Sequence, residues 1–90
     1  MTSQAGGWTD FNFNISQEAR KVFETALHGF VGVTYKPLAA ATQVVSGTNY
    51  CYLCESTTAS RGAASFASKV YIYQPLEGTA HITEITRDKP

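Results

Sequence analysis

The hydrophobic pattern changes period once along the chain, near Gly32. Before that point Ala19, Val22, Phe23, Ala26 and Leu27 recur at the i, i+3, i+4, i+7, i+8 spacing of an amphipathic helix, with Arg20, Lys21 and Glu24 between them. The spacing predicts one helix beginning at Ser16, whose hydroxyl can cap the orphan amides of the first turn. Glu18 then sits favourably beside the positive end of the helix dipole. His28 and Gly29 predict its end, a residue able to carry positive charge followed by one free to turn left-handed. His28 is accordingly read as a terminal residue and not as a catalytic one.

After Gly32 the pattern is that of strands. Val33 to Val45 predicts one long strand, interrupted by Pro37, which lacks the ladder N–H and so implies a bulge or an edge position. Thr48 to Glu55 predicts the second strand, and Ser56 to Ala64, rich in small and polar residues, a loose connection. Val70 and Ile72 alternate with Lys69, Tyr71 and Tyr73 in a third strand, Gln74 to Gly78 turns the chain, and Thr79 to Thr86 closes the sheet. Residues 1–7 are expected to form a flexible trunk and residues 87–90 a frayed tail. One helix followed by an antiparallel meander lets the helix stripe and one sheet face cover each other. The expected class is α+β: one helix packed on a four- to five-stranded antiparallel sheet, in a single domain spanning residues 1–90.

Charge changes the picture by removing partners. Seven basic and seven acidic residues cancel, which gives no electrostatic case for nucleic acid or an anionic membrane surface. No stretch approaches the roughly 20 apolar residues of a membrane span, and the first residues lack an apolar signal-peptide core. The expected location is therefore cytoplasmic, with secretion of a processed form left open; Asn14-Ile15-Ser16 would be a glycosylation acceptor only in a eukaryotic secreted version.

Candidate chemistry is sparse. Cys51 and Cys54 have CxxC spacing, yet on a strand residues three apart point to opposite faces and lie about 10 Å apart, beyond the ~7 Å limit for a disulfide. They are expected to be two free thiols, with no metal site and no cofactor. Two histidines and two cysteines form no nucleophile and base arrangement, and there is no glycine-rich phosphate cradle, so no enzyme is expected.

The stretch Gln43-Val44-Val45-Ser46-Gly47-Thr48-Asn49-Tyr50 puts a valine pair where a hairpin tip would ordinarily be polar. It resembles the first-hairpin signature of the cystatins, which in the intracellular stefin branch reads Gln-Val-Val-Ala-Gly-Thr-Asn-Tyr; only Ser46 departs from it. The order of elements is similar across nearly the whole chain, and Tyr73-Gln74-Pro75-Leu76 falls where that family has its second hairpin loop, keeping the apolar character but not the letters. The disulfides of secreted cystatins have no counterpart.

The resemblance implies a cystatin-like fold and a tight-binding, reversible inhibitor of papain-like cysteine proteases. In that family the N-terminal trunk and two hairpins form a wedge that fills the active-site cleft. Carried onto this chain, the trunk is Gly6 or Gly7 with Trp8 beside it, the first hairpin is Gln43, Val44, Val45, Ser46 and Gly47, and the second loop is Pro75 and Leu76. It further implies a monomer able to exchange its helix half with a second copy in a domain-swapped dimer. Two alternatives stand beside these: Val44 and Val45 merely end a strand and pack on Trp8 or Leu76, or the domain is a protein-binding or scaffold module without protease-inhibitory activity, Tyr71, Tyr73 and Leu53 supplying a surface. Trp8 likewise has two readings, as a residue pinning the N-terminus to the body or as a partner contact.

Overall fold

The computed structural model describes residues 7–59, 62 and 64–87. Ser16 caps helix α1 (Gln17–Ala26) by accepting a hydrogen bond at its Oγ from the Ala19 amide at 3.1 Å. Leu27 closes the helix through its amide, which donates to the Phe23 carbonyl, and Gly29 follows with φ of +80°. His28, beyond that cap, is exposed.

Four strands follow: β1 (Val33–Val45), β2 (Gly47–Thr58), β3 (Ser65–Gln74) and β4 (His81–Arg87). They form one antiparallel sheet in the order β1-β2-β3-β4. Pro37 lies on the edge strand, and the β1 register shifts between Pro37 and Ala39, so the proline sits at a bulge where no ladder donor is required. Among the described residues no fifth full strand forms. Instead the segment before the helix lies along the β1 edge through two isolated bridges, Trp8 to Gln43 and Asn12 to Ala40. The Asn12 and Ala40 backbones exchange hydrogen bonds at 2.8 and 3.0 Å, and the Thr9 amide donates to the Thr42 carbonyl at 2.9 Å. This covers an edge that would otherwise present open donors and acceptors.

Helix and sheet bury one another through a single face. Ile15, Ala19, Val22 and Phe23 meet Ala40, Tyr50, Tyr52, Cys54, Val70, Ile72 and Ala80. Tyr52 is central: its ring lies 4.8 Å from that of Phe23, and its hydroxyl donates to the Ala19 carbonyl at 2.6 Å. A buried phenol needs such an acceptor, and burial pushes its ionisation above the usual tyrosine range.

Two expectations need correction. Ser56, Thr57 and Thr58 belong to β2, which shortens the expected Ser56–Ala64 connection. Ser56 is fully buried, and its hydroxyl pairs with that of Ser68 on β3 at 2.6 Å, so a polar residue that looks loop-like in isolation is satisfied across the ladder. Arg87 is likewise part of β4 rather than the first residue of a tail. It pairs with Ser68, and its guanidinium stacks over the Phe66 ring at 4.1 Å. Residues 88–90 lie outside the described residues.

Candidate functional site

The tip between β1 and β2 is very tight. Val45 pairs directly with Gly47, leaving Ser46 alone at the apex. Gly47 has φ of +99°, in the left-handed half of conformational space that side chains resist. It is also crowded: a Cβ there would stand 2.5 Å from the Gln74 carbonyl oxygen, 2.9 Å from the Tyr73 hydroxyl and 3.1 Å from the Pro75 Cα. The tip is therefore a glycine turn pressed against the end of β3.

That contact brings the two loops side by side. Thr48 pairs with Gln74, so the β1–β2 tip and the 75–78 loop project from the same end of the sheet. Gln74 stiffens the second loop from inside, its Nε2 donating to the Pro75 and Gly78 carbonyls at 3.0 and 3.1 Å. The segment carrying Gly7 and Trp8 reaches this end as well. It runs antiparallel to β1, with Asn12 beside Ala40 and Trp8 beside Gln43, so it nears the tip as residue numbers fall.

Large apolar groups on this end are left in solvent: Val44 is 56% exposed, Val45 41%, Leu76 78% and Trp8 42%. Val44 and Val45 end β1 outside the hydrophobic core. Trp8 is both an anchor and an exposed group. Its ring meets Tyr71 edge-on at 6.1 Å, on the sheet face away from the helix, and lines with Thr9, Phe11, Ala41, Cys51 and Lys69 a hollow of about 200 Å³. Of the residues implicated by sequence, Gln43 to Gly47, Pro75, Gly7 and Trp8 come together at one end, Leu76 follows Pro75 in the same loop, and Gly6 lies outside the described residues.

The cysteines stand apart from this end. Neither is joined in a disulfide, and both are buried. Cys54 faces the helix within the core, whereas Cys51 lines the hollow on the opposite face. The Cys54 thiol donates to the Tyr52 carbonyl at 3.6 Å, and burial, with a smaller contribution from Cys51, pushes its pKa up to about 12. It is therefore a neutral packing group at physiological pH, the opposite of an activated thiolate. Among the described residues no cluster of three or more histidine, cysteine, aspartate or glutamate side chains could hold a metal ion. No helix among them is long and apolar enough to cross a membrane.

Two contacts that the sequence does not reveal lie just below the tips. Tyr73 donates its hydroxyl to the Ser46 carbonyl, and Asn49 donates through Nδ2 to Gln43 Oε1 at 2.8 Å. Asn49 lies within the Gln43–Tyr50 stretch and Tyr73 beside the second loop, but only the strand register shows that they share a row. Comparison with family models, with curated proteins and with solved structures gives no match.

Proposed function

We propose that this chain is a cystatin-like, reversible, tight-binding inhibitor of papain-like cysteine proteases and not an enzyme, with Gly7, Trp8, Gln43 to Gly47, Pro75 and Leu76 as its binding edge. The observation that carries this reading is the meeting of three separate segments at one end of the sheet, with Val44, Val45, Leu76 and Trp8 exposed there. The eight-residue stretch Gln43 to Tyr50, in which only Ser46 departs from the stefin signature, lies at the centre of that end.

The chemistry follows from shape and hydrophobicity. An exposed apolar edge gains by entering an apolar cleft, at roughly 25 cal/mol per Å² of surface removed from water. Loops already braced by the Gln74 and Asn49 side chains lose little conformational freedom on docking. Proteases cleave peptide held in an extended form across their subsites. The Val45-Ser46-Gly47 turn, with its positive φ, offers no extended bond to the catalytic thiol, so the edge would occupy the cleft without being cut.

Titration of active-site-counted papain tests this proposal. The expected result is stoichiometric, reversible inhibition with the chain recovered intact. No inhibition at micromolar concentration across several papain-like enzymes would reject it and leave the domain as a binding module of another kind.

A further inference from the structure

The strand register aligns Gln43, Asn49, Tyr73 and His81 in one row across all four strands, on the face away from the helix. Asn49 donates to Gln43 within the first hairpin. His81 packs its ring edge-on against Tyr73, with centroids 5.8 Å apart and planes at 78°, and its Nδ1 lies 3.3 Å from the Thr79 carbonyl. The Tyr73 hydroxyl then crosses from β3 to the Ser46 carbonyl at the apex of the other hairpin. It occupies the space beside Gly47 that a side chain there would need.

From this arrangement we infer that Tyr73 is a positioning residue, a latch that fixes the β1–β2 tip against the strand from which the second loop springs. Held by His81 on one side and bonded to Ser46 on the other, it makes the two loops a single rigid edge instead of two independent projections. Ser46 is exposed and the ladder ends at the Val45–Gly47 pair, so beside the Asn49–Gln43 bond lower in the hairpin the Tyr73 bond is one made at the apex itself. For docking, this role rests on the inhibitor reading: a pre-set edge binds more tightly than one that must be ordered by its partner. Most of that difference is expected in the dissociation rate.

The test is Tyr73→Phe, which removes the hydroxyl and keeps the ring on His81. The bond is at the surface, so the urea midpoint should hardly move, while amide exchange at Gly47 and Thr48 should quicken and that at Val70 should not. Affinity for papain should fall about three- to tenfold, the range set by one hydrogen bond. In a Val45→Ala background the loss should shrink, because a residue acting through the tip matters less once the tip contacts are weakened. Unchanged exchange at Gly47 and Thr48 would overturn the latch whether or not the protein inhibits anything. Faster exchange with unchanged affinity, or full additivity with Val45→Ala, would overturn its positioning role. Wild-type protein that fails to inhibit would reject the protease reading alone, and the latch would then be judged on exchange.

Discussion

At the residue scale Gly47 is the most constrained position in the proposed edge. Its φ of +99° and its contact with the Gln74 carbonyl leave no place for a methyl group. Gly47→Ala should cost about 2 kcal/mol from backbone strain, before any added clash. For a domain of this size that lowers the Tm by roughly 10 °C, which thermal denaturation would register. Leu76 is the opposite case. At 78% exposure it adds little to folding, so Leu76→Glu should leave the Tm nearly unchanged while weakening protease binding, since a charge would be desolvated against an apolar wall.

Cys54 supplies a residue-scale prediction with a definite sign. Its pKa is raised to about 12 in the folded protein by burial, above its ordinary thiol value. Between those two values the folded state holds a proton that the unfolded chain gives up, so stability falls as pH rises. Tyr35, Tyr50 and Tyr52 are also shifted upward, chiefly by burial, and add to the loss at higher pH. Urea midpoints should be level near neutrality and decline from about pH 9 upward. Cys54→Ala should delay the onset toward about pH 10, where the tyrosines take over. An unchanged onset would remove Cys54 from the cause.

At the element scale a buried polar pair, Ser56 and Ser68, joins β2 to β3 beside the hydrophobic core. Removing one member, as in Ser68→Ala, strands the Ser56 hydroxyl in a fully buried position. The expected cost is about 1–3 kcal/mol, partly recovered in the Ser56→Ala, Ser68→Ala double variant, whose urea midpoint should exceed that of the single one. This pair also shows which parts of the fold are legible in sequence. The helix and the Pro37 bulge announce themselves through local signals: a capping hydroxyl, a period and a missing N–H. Ser56 to Thr58 carry loop-like letters, and only their partners on β1 and β3 make them strand. Arg87 is similar, since its place is decided by Phe66 and Ser68, remote in sequence.

The candidate site divides along the same line. The valine pair and Gly47 were legible because an apolar tip with a glycine is unusual within a few residues of chain. The crowding of Gly47 by Gln74 and the Tyr73–Ser46 bond were not, because 27 positions separate Ser46 from Tyr73 and only the register brings them together.

At the scale of the whole molecule, we propose that the tight turn between β1 and β2 helps keep the helix half folded onto its own sheet. Opening it would let both strands run on as one and deliver α1 and β1 to a second copy, with nearly the same contacts remade. Gly47→Val, which disfavours the closed turn, should therefore shift the protein toward dimers after mild heating, as size-exclusion chromatography would show. Those dimers should lack inhibitory activity, because the tip no longer exists in them. Removing residues 1–7 should act differently. The bridged segment starts at Trp8, so the Tm should hold while dissociation from a protease quickens.

The central claim is that one end of the sheet is the binding face, and amide hydrogen exchange of the chain with and without a molar excess of papain tests it most directly. The account predicts slowed exchange at Trp8, at residues 43–48 and at Leu76, with the opposite end around Phe30 and Val31 unchanged. Protection centred on Phe30 and Val31 or on β4, or no protection at all, would contradict it.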